Sequence, residues 1–318
     1  MIVTEHLLDG FTLPPYIENI RWGLIDIETT GLNRATTHVV MVGLILPVDG
    51  EIRLRQYTLE DLKEEILMLT ELMGVLDSLE ALLNFNGTHF DLPYLNRRFE
   101  HHRIPFEIPL YKSFDLYRYF KENRRQYPLE NLKLKTLEKH FGILREDTLA
   151  GGDFPRDYFL YLASRNQGIL NGLLTHNRED LVHLARLFEI IYHKDQRLLQ
   201  YGPKMFYIEG KPVYIQRLTQ SMDLLYLSLE STASLPAYAI WDKTFRIDTA
   251  LKKPSVQLPV LTFERDFEEM TFADSKALFD KDFDHLKGPE REALLLIHNG
   301  TLRYDNLGRI ITKKLSLI

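Results

Sequence analysis

The sequence predicts an α/β protein in which a mixed β-sheet flanked by helices is followed by a smaller C-terminal α+β domain. Two observations predict the first part. Strand-like and helix-like segments alternate over residues 22–193, and residues 39–46 form the continuous apolar run of a strand buried on both faces. The length of 318 residues suggests about two domains. We place them at residues 1–195, with a core of about 20–190, and at residues 196–318.

The elements of the first domain follow one another as short, separable patterns. Strands are expected at residues 21–28, 39–46, 51–57 and 81–85. Helices are expected at residues 59–76, 91–102, 132–141, 156–164 and 169–192. Asp49-Gly50 is a turn signal that joins the second and third strands as a hairpin, and Gly142 ends the third helix. Such a mixture predicts a mixed sheet with helices packed on it.

The second domain has weaker patterns. A hairpin is predicted over residues 205–214 around Glu209-Gly210, and a late turn at Asn299-Gly300. Residues 218–229 carry leucine and methionine at helical spacing, which predicts an amphipathic helix. Residues 264–284 hold eight acids against three bases. Nothing in this part indicates a metal site or a nucleophile, so its role stays open between gripping substrate, docking a partner and acting as a lid.

Composition excludes several classes of protein. The chain is 45% hydrophobic and 26% charged, as is usual for folded, water-soluble proteins. It has no cysteine, which excludes thiol catalysis, iron–sulfur sites and disulfide frameworks. The N-terminus lacks the basic start and apolar core of a signal peptide, and the longest apolar run, residues 39–47, is too short to span a bilayer. We therefore expect a cytoplasmic protein with no membrane association.

Charge is unevenly distributed along the chain. The net charge is −6, but residues 94–145 contain twelve Lys and Arg against six Asp and Glu. Taken alone, such a stretch is usually a set of solvated helix faces. Beside a nucleic-acid site it would instead neutralise phosphates without reading sequence.

Three segments place acidic residues where they are expected to be at least partly buried or close to another polar residue. Asp26 and Glu28 alternate along an apolar strand, so both project from one face, about 7 Å apart along the chain. Asp91 follows a strand and a Gly-containing turn, and His176 and Asp180 are four residues apart on a predicted helix face. Divalent cations such as Mg²⁺ and Mn²⁺ would offset the cost of burying these carboxylates. The alternatives are a solvated strand end, a helix N-cap at Asp91, and ordinary i, i+4 pairing on an exposed helix.

The order of these segments resembles the DEDD 3′→5′ exonuclease superfamily on the ribonuclease-H-like fold. The resemblance rests on three motifs: Asp-x-Glu-Thr-Thr-Gly at residues 26–31, the Asn-x-x-x-Phe-Asp that ends at Asp91, and the His-x-x-x-Asp of residues 176–180. Within this superfamily, four segments are most similar to the bacterial YprB-type ribonuclease-H-like family: NGTHFDLPYL, LKTLEKHFGI, REDTLAGGDFP and HNREDL. The resemblance covers roughly residues 20–190.

The resemblance implies a fold, an activity and a set of site residues. It implies a ribonuclease-H-like sheet, hydrolysis of DNA or RNA from the 3′ end, and two divalent cations, Mg²⁺ or Mn²⁺, acting by two-metal chemistry. The implied metal ligands are Asp26, Glu28, Asp91 and Asp180. His176 takes the place of a general base or water-orienting group. The implied substrate contacts are Thr29, Thr30, Leu32 and Asn86, and we add Arg97 and Arg98 from the basic segment.

Some residues depart from this pattern or have plainer explanations. The histidine subgroup of the superfamily places its histidine five residues before the last aspartate, where this chain has Thr175. His176 therefore stands where the tyrosine subgroup has its tyrosine. We expect Asp115 to cap a helix, and Tyr158 and Tyr161 to lie in the core. Asp147, in a Gly-rich loop, has no assignable role.

Three functions remain in competition at this point. The leading one is a metal-dependent 3′→5′ exonuclease whose substrate is DNA or RNA. The second is a non-catalytic nucleic-acid-binding or assembly module on the same fold. The third is a hydrolase of small nucleotides, which would turn over mononucleotide esters with little dependence on polymer length.

Overall fold

The computed structural model describes most of the chain and divides it into two compact units, Met1–Pro203 and Lys204–Ile318. The described residues are 1–8, 20–147, 152–242, 245–250, 253–265, 268–298 and 301–317. Within these ranges, no helix is long and apolar enough to cross a membrane.

In the part of the chain that the structure describes, the first unit is built on a six-stranded mixed sheet. Its strands are β1 (Ile2–Leu7), β2 (Trp22–Thr29), β3 (Val39–Val48), β4 (Glu51–Thr58), β5 (Ala81–Asn84) and β6 (Ser113–Asp115). Their order in the sheet is β1-β4-β3-β2-β5-β6. β2 pairs antiparallel with β3 and parallel with β5, which makes it a central strand. The predicted hairpin is confirmed, because Val48 pairs with Glu51 across Asp49-Gly50 and both turn residues have positive φ.

Helices accompany this sheet. They are α1 (Glu65–Ser78), α2 (Asp91–His101), α3 (Leu116–Glu122), α4 (Leu134–His140), α5 (Phe154–Ser164) and α6 (Gln167–Lys194). The predicted start of α1 is wrong by several residues. Asp61 and Glu64 form a capping box around a 3-10 turn, so the regular helix begins only at Glu65. Asn166 caps α6, whose inner face packs against β2, β3 and β4. Tyr158 and Tyr161 are buried in the core, and Asp115 caps α3 by accepting from the N–H of Tyr117, as predicted.

The described residues of the second unit form a sheet of nine strands with short helices. The strands are β7 (Met205–Ile208), β8 (Lys211–Ser221), β9 (Leu224–Glu230), β10 (Ala239–Trp241), β11 (Arg246–Asp248), β12 (Ser255–Arg265), β13 (Glu268–Ala273), β14 (Leu295–His298) and β15 (Thr301–Leu302). The helices are α7 (Ser275–Phe279), α8 (Pro289–Glu292) and α9 (Tyr304–Leu315). The predicted hairpin around Glu209-Gly210 joins β7 to β8. The predicted turn at Asn299-Gly300 lies outside the described residues.

The helix predicted over residues 218–229 is wrong. This segment forms the end of β8, a turn at Met222, and β9, with Ser221 paired to Leu224. Leu225, Leu227 and Leu229 are buried and Tyr226 is exposed, which is the two-residue period of a strand. The leucine spacing fits either period over so short a stretch, and the turn between the strands decides between them.

Candidate metal centre

The centre begins on β2. Ile25 and Ile27 point into the core, whereas Asp26 and Glu28 alternate with them and are half-buried on the other face. Helix α6 packs against this face of β2, so the face is covered by helix rather than open to water. The two carboxylates therefore lie together on a covered face, as the alternation predicted.

Asp91 reaches the centre from the first residue of α2. Its Oδ1 accepts a hydrogen bond of 3.1 Å from the backbone N–H of Ile27, between the two acids of β2. Phe90, not Asp91, precedes the helix, so the N-cap alternative for Asp91 is wrong. Asp115 supports the loop before α2, because its carboxylate accepts from the backbone N–H groups of Asn86 and Thr88 at 2.7 and 3.2 Å.

His176 and Asp180 reach the centre from α6. Their i, i+4 spacing puts them on the helix face that packs over β2, with Nε2 of His176 3.9 Å from Oδ2 of Asp180. The same Nε2 lies 3.5 Å from Oε1 of Glu28. One ligand atom from each of Glu28, His176 and Asp180 lies within 4.8 Å of the other two.

The carboxylates perturb one another. Burial, followed by the charges of Asp180 and Asp91, raises the pKa of Asp26 well above its usual range. Burial and then the charge of Asp26 do the same to the pKa of Glu28. Burial raises the pKa of Asp91 to about 7. The fold thus holds three acids, Asp26, Glu28 and Asp91, where ionisation is costly, and positive charge would offset that cost.

A chain of buried amides orients Asp26. Nδ2 of Asn177 donates to Oδ2 of Asp26 at 2.8 Å, and Nε2 of Gln56 donates to Oδ1 of Asn177 at 2.9 Å. Asn177 can lie this close to the sheet because residue 43 on β3 is glycine. A Cβ there would stand 2.2 Å from Oδ1 of Asn177 and 2.5 Å from a methyl carbon of Leu181.

Gly43→Ala is expected to destabilise the fold by about 1–3 kcal/mol, because the new methyl group displaces Asn177 and with it Asp26. Denaturant unfolding measures this loss of stability. Gly74→Ala is the matched control. It adds a methyl group on exposed α1 with nothing within 4 Å, and should stabilise by about 0.5–1 kcal/mol. Equal stability of the two variants would contradict this account of Gly43.

Sequence reasoning missed two residues of the segment between α4 and α5. Oδ2 of Asp147 lies 2.6 Å from Nδ1 of His176, and both side chains are almost fully buried. Nη2 of Arg145 lies 2.5 Å from Oδ1 of Asp180, while Glu138 on α4 holds the same guanidinium at 2.5 and 2.8 Å. The REDTLAGG sequence drew attention to Asp147, but no local spacing connects it to a histidine 29 residues away.

Comparison with known proteins identifies the family. A family model described as the RNase_H superfamily matches residues 24–192, more than half of the chain. The chain belongs to the RNase H superfamily. The match spans β2 through α6 and contains every acid of the centre.

Other comparisons are partial. The uncharacterized protein YprB of Bacillus subtilis (strain 168) is 26% identical over 187 residues, which are 56% of this chain. The match covers 43% of YprB, so the chain spans less than half of the length of that relative. Among solved structures, the family B DNA polymerase of Pyrobaculum calidifontis has a TM-score of 0.45 at 16% identity, covering 70% of this chain and 35% of that one. An exonuclease I has a TM-score of 0.43 at 10% identity, covering 94% and 67%.

The residues that sequence analysis assigned to substrate have different surroundings in this RNase H superfamily domain. The hydroxyl of Thr29 donates to the carbonyl of Gly31 at 2.9 Å, and that of Thr30 accepts from the N–H of His38 at 2.9 Å, so both stabilise the turn after β2. Asn86 has a positive φ in the loop before α2. Leu32 is 83% exposed, and it lines an open cavity of about 1060 Å³ together with Arg97.

Arg98 is not placed to contact a substrate. Its side chain is 1% exposed, and its Nε and Nη2 lie 2.8 and 2.6 Å from the two carboxylate oxygens of Glu65. Lys112 is also buried, and Arg145 nearly so. The basic segment of residues 94–145 therefore contributes fewer charges to the surface of the RNase H superfamily domain than its sequence indicated.

Proposed function

We propose that the protein is a metal-dependent nuclease that hydrolyses phosphodiester bonds of DNA or RNA as a 3′→5′ exonuclease. The observation that carries this proposal is the convergence of Asp26, Glu28, Asp91 and Asp180 from three elements on one covered face of β2. Membership of the RNase H superfamily supports a nuclease fold. The 3′→5′ direction is supported by the sequence resemblance alone.

The residues of the centre fit divalent cations. Oxygen donors are what Mg²⁺ and Mn²⁺ prefer, and the raised pKa values of Asp26 and Asp91 support a site for added positive charge. Asp26, Glu28, Asp91 and Asp180 would hold two such ions. When bound, they activate water and stabilise negative charge on the leaving 3′ oxygen.

The chain itself supplies orientation around these acids. Asn177 and Gln56 fix the carboxylate of Asp26, and the N–H of Ile27 fixes that of Asp91. We propose that the exposed Leu32 and Arg97, on the cavity beside the turn after β2, contact the strand being cut. We propose further that the first compact unit is the nuclease domain and the second an accessory domain, with the boundary at Pro203/Lys204 rather than at the residues 195/196 expected from the sequence.

The experiment is a cleavage assay on 5′-labelled and 3′-labelled oligonucleotides. Single- and double-stranded DNA and RNA are incubated with the full chain in Mn²⁺ or Mg²⁺, with EDTA as the control. The expected result is a ladder that shortens from the 3′ end and disappears in EDTA. Internal cuts or shortening from the 5′ end would refute the direction but keep the nuclease.

Two other outcomes would refute the nuclease itself. Binding of the oligonucleotides with no cleavage in either metal would favour the non-catalytic binding module. Turnover of mononucleotide esters only would favour a small-nucleotide hydrolase.

A further inference from the structure

The imidazole of His176 points into the acid cluster rather than past it. Nε2 lies 3.5 Å from Glu28 and 3.9 Å from Asp180, longer than a good hydrogen bond. Two ligands that each lie about 2.0–2.2 Å from one ion are separated by distances of this size. The side chain is 3% exposed, so its position is determined by packing.

Asp147 fixes which nitrogen faces the acids. A neutral imidazole that donates Nδ1–H to Oδ2 of Asp147, 2.6 Å away, presents the Nε2 lone pair to Glu28 and Asp180. A carboxylate behind a histidine is the usual arrangement behind metal-ligating imidazoles, because it fixes the ring and raises its basicity.

The surroundings of Nε2 fit a metal ligand. Nε2 faces the carboxylates of Glu28 and Asp180, and the ring of Phe154 packs against the imidazole with a centroid distance of 5.9 Å. The sequence predicts a general base or a water-orienting group at this position. Ligation is a different role for the same nitrogen.

We propose that Nε2 of His176 is a ligand, with Glu28 and Asp180, of one of the divalent cations, and that this ion is a first-row transition metal rather than Mg²⁺. The proposal deepens the proposed function, since it concerns the same centre. Its chemical basis is that imidazole suits transition metals, whereas Mg²⁺ takes carboxylate and water oxygens.

The test uses Mn²⁺ alone as the probe of the full chain. Pulsed electron paramagnetic resonance of bound Mn²⁺ is expected to show a directly coordinated ¹⁴N nucleus, replaced by ¹⁵N when only histidine is ¹⁵N-labelled. Calorimetry is expected to show that His176→Gln weakens Mn²⁺ binding by about tenfold to a hundredfold. Mg²⁺ binding should change less than about twofold. His193→Gln, on the exposed end of the same helix, is the matched control and should match the wild type.

Bound Mn²⁺ without histidine nitrogen coupling in the wild-type protein would overturn the proposal. So would a folded His176→Gln variant that binds Mn²⁺ as tightly as the wild type. The first measurement needs no variant, so the absence of coupling overturns the proposal even if His176→Gln fails to fold. Nitrogen coupling without cleavage of any oligonucleotide would refute the nuclease and keep the ligand, whereas cleavage without coupling would do the reverse.

Discussion

Asp26→Asn is expected to reduce the proposed nuclease activity by about a thousandfold or more while the fold becomes more stable in the absence of metal. Activity falls because the variant removes the charge that would face the cations. Asparagine keeps the shape of the side chain, and its carbonyl oxygen can still accept the hydrogen bond from Asn177. Stability rises because ionising Asp26 in the folded state is costly, as its raised pKa indicates.

Two measurements check this expectation, a cleavage rate in Mn²⁺ and a thermal unfolding curve in EDTA at pH 8. Glu71→Gln is the control, because Glu71 is exposed on α1 and its loss should change neither quantity. Opposite signs of the two effects separate a functional role from a structural one. Activity that survives in Asp26→Asn, or a loss of activity that merely follows unfolding, would count against the metal centre.

Arg98→Met is expected to destabilise the fold by about 3–5 kcal/mol, because it leaves the carboxylate of Glu65 buried without its main partner. Glu65 is fully buried and also accepts from the N–H of Val39 at 2.8 Å and faces His38 and His102 at 2.9 Å each. Arg97→Met is the control for stability. The Arg97 side chain is 47% exposed and pairs with Glu100 on the surface, so its loss should cost less than about 0.5 kcal/mol.

The same cluster predicts a pH dependence. Burial alone would raise the pKa of Glu65, but hydrogen bonds from Arg98, His102, Val39 and His38 outweigh it and lower the pKa to about 2. Because the pKa in the folded state is depressed, this stabilisation is present above pH 4.5 and is lost as the pH falls toward 2. Urea unfolding of the wild type and of Glu65→Gln across this range measures it. If the free energy of unfolding of the wild type falls with decreasing pH no more steeply than that of the variant, the carboxylate of Glu65 is not stabilised by these hydrogen bonds.

The candidate site was predictable where its signals are local. Alternation along one strand places Asp26 and Glu28 on the same strand face, and four-residue spacing places His176 and Asp180 on the same helix face. These placements need no knowledge of the rest of the chain. Asp91 was added to them because the order of the motifs resembles that of a known superfamily. The partners of these residues are not local. Asp147 contacts His176, 29 residues away in sequence, and Gln56 contacts Asn177, 121 residues away. Contacts at such separations follow no helix or strand periodicity, so the sequence pattern does not predict them.

Two of the errors have physical causes of the same kind. Arg98 was grouped with its charged neighbours, but burial depends on Glu65, which lies on another helix 33 residues away. The β8–β9 hairpin was taken for a helix because leucines at positions 218, 225 and 229 satisfy the helical period. Met222 has a positive φ in the turn between the strands. Such a backbone conformation usually belongs to glycine or asparagine, so a methionine there gave little indication of a turn.

The most direct test of the central claim, that the acids around β2 are a metal site, is an anomalous difference map from crystals soaked in Mn²⁺. The account predicts anomalous density in contact with Asp26, Glu28 and Asp180, and its loss in crystals of Asp26→Asn. Fully occupied Mn²⁺ elsewhere on the protein, with no density among these carboxylates, would contradict it.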